Sequence, residues 1–149
     1  MSQLARAFLL TLLFALPDFA ADNLKLNQHL DYSSDSHDGQ LITGDNLADG
    51  PVAGKPSYVI MYGEGCFNSK RQARRTVELY EKYRGRVQFV VVDLDQKKSA
   101  AQDELVTRFY KGYIPHVVVL DRRGIPLYNA SGEVESTKIS DLLDKALTP

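Results

Sequence analysis

The chain has 149 residues, 44% apolar and 25% charged. These are the proportions of one globular domain with room for a short leader, and they exclude a wholly disordered, collagen-like or polytopic membrane chain. Lys and Arg number 18 against 19 Asp and Glu, a net charge of −1, so nothing electrostatic favours nucleic acid; the lone cysteine, Cys66, rules out an intrachain disulfide and with it a disulfide-stapled mini-fold.

One charge, Arg6, precedes the apolar run 7–16. As a helix that run would rise about 15 Å, half of a hydrocarbon core of about 30 Å. That suits the core of a signal peptide better than a membrane span. Pro17 breaks the helix and Ala20-Ala21 offers small residues for cleavage, although Asp18 or Phe19 then stands three residues upstream, where a small residue is preferred. Residues 1–21 are expected to be a signal peptide; an N-terminal helix packed on the domain and an uncleaved membrane tether are the alternatives. Export would place the protein in the periplasm or outside the cell, an oxidising setting.

Residues 22–54 read as a polar extension. Ser33-Ser-Asp-Ser-His-Asp-Gly39 is turn-rich, and Leu41 to Thr43 suits a short strand. The extension is expected either to add an edge strand and a short helix or to act as a flexible tether.

The domain proper is expected over 55–149. Tyr58 to Tyr62 is a continuous apolar run that stops at Gly63, as a buried strand does. Asn68 to Tyr83 follows as a helix with Ala73, Val77, Tyr80 and Tyr83 inward and Lys70, Arg71, Arg74 and Arg75 outward, ended by Arg84-Gly85. Val87 to Asp93 is a second buried strand, so the unit is βαβ, parallel, with a right-handed crossover. Ala100 to Tyr110 is a helix with Leu105, Val106 and Phe109 inward, Val117 to Leu120 a third strand, and Pro126 to Tyr128 opens a fourth, joined to the third as a hairpin through Arg122-Arg-Gly124. Ser136 is a candidate N-cap for a last helix with Ile139, Leu142, Leu143, Ala146 and Leu147 on one stripe. The order β-α-β-α-β-β-α defines an α/β domain, a mixed sheet with helices on both faces.

The chemistry centres on Cys66. It lies in the turn leaving the first central strand, at the sheet edge where open α/β sheets bind ligands, and at the start of a helix, where free N–H groups and the helix dipole favour a thiolate. Lys70, Arg71 and Arg74 would add positive potential and Glu64 would oppose it. The plain alternative is a buried, inert core cysteine.

Other candidate sites are weaker. The basic run Lys70 to Arg75 reads as a solvated helix face, and Tyr80, Tyr83, Phe109 and Tyr110 as core aromatics. His29, His37, His116, Cys66 and the Asp35 to Asp38 cluster form no metal-ligand spacing, so no metal is expected. Asp93 and Asp95 fall on alternate faces and do not suggest an acid–base couple. Gly63-Glu-Gly65 is too short for a phosphate loop, and no cofactor is expected. Asn129-Ala-Ser131 fits a glycosylation acceptor, with meaning only in a eukaryote.

From about Lys55 to Leu147 the chain resembles thioredoxin. The resemblance rests on Cys66-x-x-Ser69-Lys70 at a helix start, a strand ending in Asp93-Leu-Asp-Gln96, then Gly112-Tyr-Ile-Pro-His116 before a strand, Gly124 in a hairpin and Gly132 before the last helix. It implies a thioredoxin-like fold in which Pro115 is cis and faces Cys66. It also implies that Cys66, Ser69 and Pro115 form the reactive site, with Phe67, Ile114 and His116 around the substrate. The departures are specific. Ser69 stands where the family has its second cysteine, Gly65 where an aromatic residue usually precedes the first, Ile60 where many members carry a buried acid, and His116 where Thr often follows the proline. A hydroxyl cannot resolve a mixed disulfide, so the ordinary dithiol cycle is closed.

Three readings follow. The first is monothiol exchange with protein disulfides or glutathione, of the isomerase or deglutathionylation type, in which Ser69 hydrogen-bonds the thiolate. The second is a redox-inactive binding module docking peptides beside Pro115. The third is a structural protein disulfide-linked through Cys66, as a dimer or to a partner.

Overall fold

The computed structural model describes residues 22–45 and 47–149; the expected leader, residues 1–21, lies outside the described residues. The elements are β1 (Asp22–Leu26), β2 (Ile42–Asp45), β3 (Ser57–Tyr62), α1 (Phe67–Tyr83), β4 (Gln88–Asp93), α2 (Ala100–Phe109), β5 (His116–Leu120), β6 (Pro126–Ser131) and α3 (Ser136–Leu147). Among the described residues no helix is long and apolar enough to cross a membrane.

Every residue of β3, β4 and β5 is buried, because both faces of the sheet they form are covered. The sheet order is β4-β3-β5-β6. β3 runs parallel to β4, with Ile60 opposite Val91, and antiparallel to β5, with Ile60 opposite Val117. Side chains alternate between the two faces of a strand. Tyr58, Ile60, Tyr62, Phe89, Val91, Val117 and Val119 thus share one core with α1 and α3, while Val59, Met61, Val90, Val92, Val118 and Leu120 share the other with Leu105 and Phe109 of α2. The expected βαβ unit and hairpin are both present. In the hairpin the Asp121 carboxylate accepts the N–H groups of Arg123 and Ile125 at 2.8 and 2.9 Å, and Gly124 takes φ +78°.

The helices form where expected, with small changes at their ends. Ser99 caps α2 in a reciprocal capping box with Gln102. α1 begins at Phe67, one residue before the expected start. Leu79 takes a core position on α1 while Val77 is only half-buried. Glu135, not Ser136, is the N-cap of α3, without a side-chain capping bond.

The extension is where structure and expectation part. Residues 22–45 are neither an edge strand of the main sheet nor a tether, and no helix forms among the described residues of 22–54. β1 and β2 pair antiparallel as a separate two-stranded sheet, and Leu24, Leu41 and Ile42 join the core on the α1 side. Further along, Ala48 makes a single parallel bridge to Val90 at the main sheet's edge.

This second layer reverses the expectation for the basic face of α1. Lys70 is fully buried. Its Nζ donates to the carbonyls of Asp31 (2.5 Å), Ser34 (2.9 Å) and Ser36 (2.7 Å), and to Ser36 Oγ (2.9 Å). An amino group has three N–H donors, and three carbonyls converge on it because the 31–36 segment is curled by Asp31, whose carboxylate accepts from the Ser33 N–H, the Ser33 hydroxyl and the Ser34 hydroxyl. Arg75 is also engaged: it sits between Glu133 (3.0 Å) and Glu135 (2.7 Å). Beneath the helix Gln72 bridges two layers, donating to Tyr58 Oη at 3.2 Å and accepting the Val134 N–H at 2.9 Å.

Truncating Lys70 removes the donor and leaves its carbonyls facing an apolar side chain. Lys70→Met is expected to lower the unfolding free energy by about 2 kcal/mol or more and to speed amide exchange across residues 31–38. Urea titration and hydrogen exchange check this; unchanged exchange in that segment would show that Lys70 does not hold it.

Candidate functional site

The carboxyl edge of β3 is where Cys66 and the cis-proline loop meet. The chain leaves Tyr62 through Gly63-Glu64-Gly65 and reaches Cys66, the N-cap of α1. Cys66 N–H donates to the Gly63 carbonyl at 3.4 Å and its own carbonyl accepts the Lys70 N–H at 3.0 Å, so the backbone fixes the residue at the helix start. Its thiol makes no capping bond, is free and is half-buried. Phe67, next along, is half-buried with the Arg71 guanidinium 5.9 Å from its ring centre.

The Ile114–Pro115 bond is cis, as the resemblance implied. The loop that carries it is packed against the Cys66 turn: a Cβ on Gly63 would collide with Ile114 Cδ1. Glycine at 63 is therefore what allows the two loops to approach. Pro115 is buried, and its carbonyl accepts the Gly132 N–H at 2.7 Å. Tyr113, which the sequence reading did not single out, is 74% exposed beside this pair. An aromatic one residue before an Ile-Pro step was the available signal.

Two expected roles change. Ser69 is buried, and its hydroxyl accepts the Gly63 N–H at 3.4 Å; its hydrogen bond is with the turn rather than with the Cys66 sulfur. His116 is fully buried and presents no side-chain surface to a docking substrate. Its Nε2 lies 2.6 Å from Asn129 Oδ1 and its Nδ1 2.9 Å from Ser131 Oγ. This suits a neutral ring whose Nε2–H donates to Asn129 while Nδ1 accepts the serine hydroxyl. The reason is register: His116 pairs with Ser131 and lies diagonal to Asn129 of β6, so the three side chains share one face of the sheet.

A group of acids lies on the other side of the turn. Glu64 is 4% exposed. Its Oε1 accepts the Gln96 amide at 2.6 Å, its Oε2 is 3.1 Å from His37 Nε2, and its backbone N–H donates to Asp95 Oδ2 at 2.7 Å. Asp93 accepts the Asp95 N–H at 3.0 Å. Burial pushes the Asp93 carboxyl up to about 6; the Glu64 carboxyl against it adds to the rise, and the Asp95 N–H opposes it. Asp93 and Glu64 lie together.

The extension reaches this edge as well. Asp35 Oδ1 accepts the Phe67 N–H at 2.7 Å, at the first turn of α1. The His37 ring lies over Gly65, where a Cβ would come within 3.2 Å of Nδ1. The absence of a side chain at position 65 is matched to that ring.

With this geometry in place, the relatives can be set beside it. No protein-family model matches the chain. A thiol:disulfide interchange protein TxlA homolog of Synechocystis is 31% identical over 80 residues, 54% of this chain, and the chain spans less than half of that relative, 43% of its length. Among solved structures, one described as a malarial protein superposes with a TM-score of 0.52 at 20% identity, covering 63% of this chain and 99% of the other. Thioredoxin-2, described as a component of the malaria parasite's protein secretion machinery, superposes with a TM-score of 0.53 at 17% identity, covering 66% and 95%. The fold is that of thioredoxin, with a cysteine at the start of the first long helix and a cis-proline loop packed against the turn that leads to it.

His116 makes a pH signature. Burial holds its pKa below the ordinary histidine value, the Asn129 bond opposing. The unfolded chain therefore binds a proton near pH 6.5 that the folded chain refuses, and stability falls as pH drops through and below that value. Urea titrations from pH 8 to about 5 are expected to show the loss in the native protein. His116→Gln should be less stable at pH 8, with its deficit shrinking toward pH 5; a deficit constant across the range would overturn this.

Proposed function

We propose that the protein carries out thiol–disulfide exchange through one cysteine. The observation that supports this best is the position of Cys66: a half-buried free thiol at the N-cap of α1, beside the cis Ile114–Pro115 loop. The Cys66 thiolate attacks one sulfur of a substrate disulfide, a Cys66–substrate disulfide forms, and the other half leaves as a thiolate. A second thiolate, from the substrate protein or glutathione, then attacks the substrate sulfur and returns Cys66 to the thiolate. No electrons are gained or lost overall, so the chemistry is isomerisation or deglutathionylation. The tip Tyr113-Ile114 offers an exposed aromatic and a short apolar surface for the substrate peptide beside the sulfur. An exported setting, read from residues 1–21, is part of the proposal and suits a disulfide substrate.

The second reading is a docking module without turnover. It is favoured by two contacts: the N–H of Phe67, the residue after Cys66, is already taken by Asp35, and Ser69 is tied to Gly63.

Incubation with oxidised glutathione separates them. Exchange predicts a single glutathionyl adduct on intact protein, absent from Cys66→Ser, formed at least about tenfold faster than on a free thiol peptide at the same pH, and removed by added glutathione. Reaction no faster than the peptide, or only after unfolding, would leave the docking reading standing. A covalent dimer on a non-reducing gel would instead mark Cys66 as a structural link.

A further inference from the structure

We propose that His37, Glu64 and Asp95 form a binding site for a divalent ion of the zinc type, built between the 31–38 segment and the turn before Cys66. Each offers one ligand atom, and these atoms lie within 4.8 Å of one another. Zinc holds nitrogen and carboxylate oxygen at about 2.0–2.2 Å, which puts two ligand atoms on one ion roughly 3–4 Å apart. A closure of roughly 1–2 Å, within the reach of an exposed histidine and an exposed aspartate, completes the site.

A second observation points to a cation independently of those distances. Asp93 is only 8% exposed and lies against the Glu64 carboxyl. Its Oδ2 is buried with no partner within hydrogen-bond distance, the Tyr62 phenol being the polar group near it. Three carboxylates, Glu64, Asp93 and Asp95, therefore converge at one sheet edge. None of the lysine or arginine ion pairs among the described residues reaches them. Buried carboxylates ordinarily sit against a donor, a positive side chain or a metal. Here the donors are neutral, the Gln96 amide and the backbone N–H groups of Glu64 and Asp95, and His37, 3.1 Å from Glu64, is the group that can carry positive charge.

The ligand set selects the class of ion. One imidazole with carboxylates suits zinc and its first-row neighbours, whereas calcium and magnesium prefer oxygen alone. Glu64 comes from the rigid β3–α1 turn and is further held by Gln96. His37 arrives on a segment that Lys70 and the Phe67 N–H already hold in place. The exposed sides of His37 and Asp95 leave room for water to complete the coordination. The ligands come from three separate segments, 27 and 31 residues apart, so no ligand spacing shows in the sequence. A bound ion would fasten the 31–38 segment to the turn two residues before Cys66, and the site does not depend on the chemistry of that cysteine.

The probe is zinc chloride, titrated calorimetrically into the untagged full chain and into Cys66→Ser, because a nearby thiol is itself a zinc ligand. One ion per chain is expected, at a Kd of about 10 µM or tighter, in both proteins. His37→Ala and Glu64→Gln, each made in the Cys66→Ser chain, should weaken it at least about tenfold. His29→Ala and an excess of magnesium should change nothing. Should Glu64→Gln fail to fold, His37→Ala decides, since that residue is 63% exposed and contributes little to the core. The proposal is overturned by no binding up to about 100 µM zinc, by unchanged affinity in His37→Ala, or by binding that disappears in Cys66→Ser.

Discussion

The amino group of Lys70 is the point on which two layers of this protein meet. It leaves α1 on the side away from the main sheet, where a lysine would ordinarily reach water. Instead it ends among the carbonyls of Asp31, Ser34 and Ser36. That contact turns a polar, turn-rich segment into a fixed strap and brings β1 and β2 over the helix, so that Leu24, Leu41 and Ile42 extend the core. The phenol of Tyr62 strengthens the same junction from below, accepting the Leu41 N–H at 3.1 Å. With α1 covered on both sides, its buried face includes Ser69, Gln72 and Thr76 as well as apolar residues, each of them given a hydrogen-bond partner.

The strap also decides what surrounds the cysteine. On one side of the Gly63–Cys66 turn stands the cis-proline loop, brought close by the missing side chain of Gly63. On the other stand Asp35 and His37, the first on the helix N–H of Phe67 and the second over Gly65. The turn before α1 thus meets the cis-proline loop on one side and the 31–38 segment on the other. The strand position where the family resemblance called for a buried acid is Ile60, in the apolar core. The buried acids of this protein lie instead at the strand ends, as the Glu64 and Asp93 pair. Close glycines and a cluster of acids at one edge are a departure in chemistry as well as in sequence, while the sheet beneath is unchanged in plan.

Much of this was legible in the chain itself. The runs Tyr58 to Tyr62, Phe89 to Val92 and Val117 to Leu120 are long enough and apolar enough to be buried strands and nothing else, and the helices between them carry periodic stripes. Cys66 at a strand-to-helix turn and Pro115 ahead of a strand were visible for the same reason: both are tied to neighbouring local signals. Lys70 was misplaced because its spacing on α1 is that of an outward residue, and outwardness depends on whether something else covers the helix. His116 was misplaced because a residue at the mouth of a strand can face either the sheet edge or its neighbour, and the hydrogen bonds to Asn129 and Ser131 settle that only once β6 is paired.

What the sequence determined by itself is therefore the set of elements, their order, the α/β class and the place of the cysteine, because each follows from interactions within about a dozen residues: periodicity, turn residues and helix starts. What only the tertiary structure decided is which side of α1 meets water, where residues 22–45 go, and which acids stand together. Those depend on contacts between residues far apart in the chain, such as Lys70 with Ser36 across 34 positions and Glu64 with Gln96 across 32. A buried polar atom is stable only where its distant partner arrives, and no local pattern records that arrival.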